Sequence, residues 1–267
     1  MISTLNNAPI GVFDSGVGGL TVYREIRKLM PFENIIYFGD TMRVPYGNKS
    51  EENIKLFAME ISEFLVSRGV KMIVVACNTV SSIALELIKN KTKLPVVGVI
   101  KPGVDAAIAR TKNKAIIVIG TRATINSHSY LNEIKTRGDF SVVEKACPLF
   151  VPLVEENFIE HKATALIAET YLGEFRKSIY DTIILGCTHY PLLKKVIEKT
   201  LKDINIVDSS QTCAKYVKKM LDDLTLASRS KKNGWSDFYV SDKPQNFMEL
   251  AYRFAGVKIC KINIKKF

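Results

Sequence analysis

Long hydrophobic runs are absent from this sequence. The longest, Met72 to Ala76 and Ala115 to Ile119, fall far short of the about 20 residues that a membrane-spanning helix needs. The opening stretch, Met1 to Ala8, is short and polar, with no basic segment leading into an apolar one. We therefore expect no signal peptide, no membrane partner and a cytoplasmic protein. Cysteine is sparse and unpaired: Cys77, Cys147, Cys187, Cys213 and Cys260 are odd in number, widely spaced and free of any Cys-x-x-Cys pair. That excludes a disulfide framework and a structural zinc site and leaves five free thiols. Acidic residues are also in deficit, 27 against 38 basic ones, for a formal net charge of +11. A balance this basic suits an anionic partner such as nucleic acid. Yet the lysines are spread along the chain, dense only at Lys258, Lys261, Lys265 and Lys266, and no zinc-finger, RNP or heptad pattern accompanies them. The charge reads as a solvated lysine-rich surface, and nucleic acid is not expected as a partner.

What is present is an ordinary globular composition, 47% hydrophobic and 24% charged. A chain of 267 residues suits two modest α/β domains and can bury a core without metals or disulfides. Short apolar runs alternate with stretches of helical period. Strands are predicted at Ile10 to Phe13, Asn34 to Phe38, Met72 to Ala76 and Pro95 to Val99, with helices at Leu20 to Leu29, Glu51 to Val66 and Val80 to Ile88 between them. The pattern then restarts. Helices are predicted at Val104 to Ala109, Ala123 to Ile134, Leu192 to Leu201 and Gln211 to Leu224, with one long or two short helices over Glu155 to Phe175. Strands are predicted at Ala115 to Ile119, Ser141 to Glu144, Thr182 to Leu185, Asn205 to Val207 and Phe238 to Val240. Ala227 to Ser236 reads as a loop, and an apolar run, Val257 to Ile264, closes the chain. This βαβα order implies parallel sheets with helices on both faces. The strands are continuous apolar runs, as double-sided burial requires.

One feature goes beyond fold class. Met72-Ile-Val-Val-Ala-Cys77-Asn-Thr79 resembles Thr182-Ile-Ile-Leu-Gly-Cys187-Thr-His189. Each is a buried strand, a small residue, a cysteine and two polar residues. The two cysteines stand 110 positions apart, and the runs at Ile10 and Ile116 stand 106 apart. Near-equal offsets imply an internal duplication, hence two pseudo-symmetric, doubly wound α/β domains.

Ligands of open parallel sheets bind beyond the carboxyl ends of the strands. Cys77, Cys187, Asp14, Ser15 and Thr121 all fall there. A cleft between two such domains brings one thiol to each side of a ligand, which suits inversion of a stereocentre. One group removes the α-proton from one face and a conjugate acid returns a proton to the other. A thiol titrates near pH 8.5, so mild tuning makes it either base or acid. His189 and Asp14 are plausible helpers, and a helix beginning after each cysteine adds a positive end. Asn78, Thr79, Thr188 and His189 offer donors for carboxylates. The loop Asp14-Ser-Gly-Val-Gly-Gly19 fails as a dinucleotide loop, because Thr21 stands at the third glycine position and no Walker lysine follows. It reads as a tight turn presenting Asp14 and Ser15. Pro45-Tyr46-Gly47 is a second turn, with Gly47 N–H a potential carboxylate donor. Cys147, Cys213 and Cys260 lack polar neighbours and read as structural, as do His128 and His161. Glu155 alone reads as an acid in the first turn of a helix.

Taken together, Phe13-Asp-Ser-Gly-Val-Gly-Gly-Leu20, Val44-Pro-Tyr-Gly47, Ala76-Cys-Asn-Thr79, Gly98-Val-Ile-Lys-Pro-Gly103 and Leu185-Gly-Cys-Thr-His-Tyr-Pro191 resemble the glutamate racemases of the aspartate/glutamate racemase superfamily. The resemblance runs from Ile10 to about Asp208. It implies an active site in the interdomain cleft and no cofactor. Residue by residue, it implies that Cys77 deprotonates D-glutamate with help from Asp14. Cys187 would deprotonate L-glutamate with help from His189 and Glu155, the latter by its place in Pro152-Leu-Val-Glu155. Asp14, Ser15, Pro45, Tyr46, Gly47, Asn78, Thr79, Thr121, Thr188 and His189 would surround the substrate. It also implies that the C-terminal segment returns to the first domain, giving domains 1–98 with 209–267, and 99–208. The family role is supplying D-glutamate for peptidoglycan, which implies a bacterial source. A homodimer and a DNA gyrase contact are protein partners the resemblance allows. Val80 stands where the family usually has alanine, and Lys101 where it often has an acid.

Rival readings remain at this stage. One is a racemase of the same superfamily acting on aspartate or another amino acid. Another is a non-enzymatic two-domain binding protein, which has no need of two matched cysteines. A third is a basic nucleic-acid- or gyrase-binding regulator, whose binding would depend steeply on salt. A pyridoxal-phosphate racemase would need a Schiff-base lysine.

Overall fold

The structure, a computed structural model, describes residues 6–242, 247–256 and 258–267. Its strands are β1 (Ile10–Asp14), β2 (Ile35–Gly39), β3 (Met72–Val75), β4 (Val96–Gly98), β5 (Ala115–Gly120), β6 (Ser141–Ala146), β7 (Thr182–Gly186), β8 (Asn205–Asp208), β9 (Ser236–Val240) and β10 (Asn263–Ile264). They form two sheets, ordered β10-β9-β2-β1-β3-β4 and β6-β5-β7-β8, and every pairing is parallel. The central strands β1, β2, β3, β5 and β7 are buried along their whole length, which explains their unbroken apolar sequence.

The duplication inferred from the spacing is a duplication of topology. The order β2-β1-β3-β4 in the first sheet is the order β6-β5-β7-β8 in the second. Cys77 follows β3 and Cys187 follows its counterpart β7. Asp14 ends β1, and Thr121 follows its counterpart β5. The first sheet is extended on its β2 edge by β9 and β10, the last strands of the chain. Helix Ser209–Asp223 is capped by Asp208, whose carboxylate accepts from Ser210 N at 2.8 Å. It packs against helix Leu20–Leu29 of the first half and helix Ile100–Arg110 of the second.

Several elements differ from their predicted form. The helix expected at Ala123 to Ile134 is two, Arg122–Asn126 and Ser129–Lys135, broken at His128, whose φ of 51° is left-handed. The helix after Cys77 starts at once, as Asn78–Ile83, and continues as Leu85–Thr92 beyond a break at Ala84. After Cys187 the chain instead makes a 3-10 turn, Tyr190–Leu193, before helix Lys194–Leu201, so Cys187 does not sit at an α-helix N-terminus. Glu155 is corrected from first-turn acid to the last residue of helix Phe150–Glu155. Helix Phe247–Ala255 was not anticipated, although Phe247, Leu250, Ala251 and Phe254 carry a helical period and are buried. Of the apolar run at Val257 to Ile264, Val257 lies outside the described residues, and the regular part is β10 alone. Among the described residues, no helix is long and apolar enough to cross a membrane.

A buried ion pair fastens the loops beneath the first sheet. Lys71 Nζ donates to Glu33 Oε2 at 2.6 Å and to the carbonyls of Asn6 and Leu226 at 2.7 and 2.8 Å. Glu33 Oε1 accepts from Ser228 N at 2.6 Å. Both side chains are almost fully buried. Removing one partner of such a pair strands a charge and costs about 3–5 kcal/mol. Lys71→Met is therefore expected to lower the stability measured by urea unfolding by that amount. The double variant Lys71→Met/Glu33→Leu should recover a large part of it. A single variant that unfolds at the wild-type urea concentration would show that the pair contributes no net stability.

Candidate active site

The carboxyl ends of β1, β3, β5 and β7 open onto one cavity of about 290 Å³. Ser15, Pro45, Tyr46, Gly47, Cys77, Asn78 and Thr79 line it from the first half, and Thr121, Glu155, Cys187, Thr188 and His189 from the second. Both thiols are buried, at 5% and 6% exposure for Cys77 and Cys187, yet both reach the cavity wall. Of the residues singled out in the sequence, Asp14 alone does not line the cavity. It is fully buried behind the wall, with Oδ2 accepting from Gly16 N at 3.0 Å and Oδ1 without a partner.

The two thiols have different surroundings. Cys77 Sγ lies 3.6 Å from Ser15 Oγ. Burial, and then the negative charge of Asp14, push its thiol up to about 12. Burial likewise raises Asp14, against the pull of His189 and the backbone N–H groups of Gly19, Gly16 and Ser15. On the other side, Cys187 Sγ is 3.9 Å from His189 Nδ1, and His189 Nε2 is 2.9 Å from Glu155 Oε1. Burial pulls the imidazole down, but its hydrogen bonds to Cys187 and Glu155 outweigh that, and the net effect lifts His189 to about 10. At neutral pH the ring is thus an imidazolium between a sulfur and a carboxylate.

Hydrogen bonds close the two halves over the cavity. Thr79 Oγ1 is 3.0 Å from Thr121 Oγ1 and 3.2 Å from Thr124 Oγ1. Tyr130 donates its hydroxyl to Asn78 Oδ1 at 2.6 Å, which leaves the buried Asn78 Nδ2 as an oriented, unpaired donor. The Thr21 hydroxyl lies 3.1 Å from Thr188 O. Two glycines permit the approach. A Cβ on Gly18 would stand 2.3 Å from Thr188 Oγ1 and 2.6 Å from His189 Nδ1, and one on Gly47 would stand 2.9 Å from Thr121 Cβ. The Tyr46 hydroxyl is engaged by the Asp40 carboxylate, so Tyr46 shapes the wall without a free donor.

Sequence reasoning missed Arg122, among the described residues the one Lys or Arg along the cavity wall, and Pro148, Val151 and Pro152, which give that wall an apolar side. It also missed Thr124, Tyr130 and helix Phe247–Ala255, whose Phe254 packs edge-on against His189 with ring centroids 5.0 Å apart. Thr124 was within reach, three residues after a Thr that caps a helix. Tyr130 carries no such signal. Among the described residues no group of three or more His, Cys, Asp or Glu side chains is placed to hold a metal ion.

Comparison with known proteins agrees with this geometry. Residues 10–217 match the family model described as Asp/Glu/Hydantoin racemase. The glutamate racemase of Persephonella marina is 52% identical over 250 residues, 94% of each chain. The crystal structure of the Francisella tularensis glutamate racemase in complex with D-glutamate superposes with a TM-score of 0.93 at 38% identity, covering 98% of both chains. An aspartate racemase homologue from Pyrococcus horikoshii shares the fold alone, at 18% identity, with a TM-score of 0.62 over 80% of this chain and 99% of its own.

The His189 environment is directly testable. In an NMR titration of the three histidines, His189 should keep its proton up to about pH 10 while Cys187 and Glu155 hold it. Gly18→Ala pushes a methyl group into the ring and should bring that titration down toward the ordinary value of about 6.5. A His189 titration unmoved by Gly18→Ala would contradict the close packing that the glycine allows.

Proposed function

The chain belongs to the Asp/Glu/hydantoin racemase family, as an amino-acid racemase acting on glutamate, and from that premise we propose that Cys77 and Cys187 invert the α-carbon by moving protons across the cleft. The observation that carries this reading is the placement of two buried thiols on corresponding strand ends, lining one cavity from opposite halves. We read the domains as 1–98 with 209–267, and 99–208, with the cleft between them.

We assign the two roles from the surroundings of each sulfur. Cys77, pushed up to about 12, carries its proton and is the acid. The Cys187 sulfur faces the protonated His189 ring, and we give it the part of the base. L-glutamate loses its α-proton to Cys187, and the carbanion takes a proton from Cys77 on the other face, giving D-glutamate. The reverse reaction starts with thiolate at Cys77 and thiol at Cys187. The unpaired Oδ1 of Asp14 is the acceptor that can take the Cys77 proton. On the other side His189, already protonated and held by Glu155, faces the Cys187 sulfur as a donor. The donors along the wall suit a dicarboxylate: Ser15, Thr79, Thr121 and Thr188 hydroxyls, the Asn78 amide and the Gly47 backbone. Arg122 adds positive charge. The carbanion is stabilised by donors already held in place, with little reorganisation. The D-glutamate formed is suited to peptidoglycan synthesis, the role that the sequence resemblance implies.

Circular dichroism of L- and D-glutamate with the purified protein, without added cofactor, tests the reading. Both signals should decay to zero while D-aspartate stays unchanged. Decay of aspartate alone would overturn the substrate assignment, and decay of neither amino acid would overturn racemisation itself.

A further inference from the structure

Helix Phe150–Glu155 ends in an awkward place for a carboxylate. The last carbonyls of a helix carry a partial negative charge, and Glu155, the final residue, adds a full one. The compensating charge comes from the far end of the chain. Arg253, on helix Phe247–Ala255, donates from Nη1 to Val154 O at 3.0 Å and Glu155 O at 3.5 Å. Its Nη2 is held by Glu249 Oε1 at 2.7 Å. The next residue, Phe254, is fully buried with its ring against His189. A single helix thus touches both members of the pair behind Cys187.

We propose that Arg253 is a positioning residue for the reaction. Its guanidinium fixes the end of helix Phe150–Glu155 so that the Glu155 carboxylate stays on His189, which faces Cys187. The charged and titratable groups facing His189 are Glu155, Cys187 and Asp14, and of these Arg253 contacts the Glu155 backbone alone. Loss of the guanidinium frees the helix end, loosens Glu155 and withdraws one of the two hydrogen bonds that keep the ring protonated.

The inference rests on the racemase reading, and kinetics separate the two. Wild-type protein that fails to racemise glutamate sinks that reading. Wild type that racemises leaves Arg253 to be judged by its variants. In Arg253→Met, kcat should fall about tenfold or more, since an acid–base partner contributes about 100-fold or more, with KM for glutamate unchanged within about twofold. The basic limb of its kcat–pH profile should move to lower pH, because His189 gives up its proton earlier. Arg253→Lys, which keeps a charge on the carbonyls, should restore part of both effects. Glu155→Gln should shift the same limb, and adding Arg253→Met to it should shift it no further. A basic limb that stays in place in both Arg253 variants, or effects of Arg253→Met and Glu155→Gln that add in full, would overturn the proposal and leave Arg253 as an interdomain brace.

Discussion

Two sulfurs buried at the ends of β3 and β7 share one cavity, and a stereocentre between them is inverted only if each stays on its own side. A proton must leave one face of the α-carbon and another must arrive at the opposite face. A single strand end supplies one such group. Two sheets of the same strand order, facing each other across a cleft, supply two. The hydrogen bonds from Thr79 to Thr121, from Tyr130 to Asn78 and from Thr21 to Thr188 fix the separation of the halves. Gly18 and Gly47 are small enough to let them come that close.

Matching topology does not make matching electrostatics. Cys77 has a buried carboxylate behind it and stays protonated. Cys187 has a histidine and a carboxylate aligned beside it, and a helix from the chain's C-terminal segment supports that pair. The asymmetry is useful, because a reversible proton transfer needs one base and one acid at the start of each turnover. The duplicated scaffold sets where the sulfurs are. The residues that differ between the copies, Asp14 on one side and His189 with Glu155 on the other, are the ones that, in the proposed mechanism, tell the two sulfurs apart.

Much of this was legible in the chain. The unbroken apolar strands, the polar residues after them and the near-equal offsets imposed two parallel sheets with thiols at equivalent ends. Strand-end position pointed to Asp14 and most of the wall residues, and motif resemblance added the roles of Glu155, Pro45 and Tyr46. Local pattern was less informative where tertiary contacts decide. A helical period runs through Ala123 to Ile134, but the chain breaks at His128. Glu155 looked like the start of a helix because its helix, Phe150–Glu155, is short and contains Pro152. Asp14 looked like a cleft residue and lies one layer behind it. Tyr130 and Arg253 act on residues 52 and about 100 positions away in sequence, at Asn78 and at Val154 and Glu155, and no spacing rule reaches that far.

The central claim is that both thiols carry the proton transfer, and the most direct measurement is racemisation by Cys77→Ala and Cys187→Ala in reducing buffer. Each variant should keep the wild-type circular dichroism spectrum and thermal unfolding, since each loses only a small side chain at a cavity wall. Each should lose racemisation in both directions by about 100- to 10,000-fold, because inversion needs a group on both faces. Near-normal turnover in either folded variant would contradict the two-thiol account.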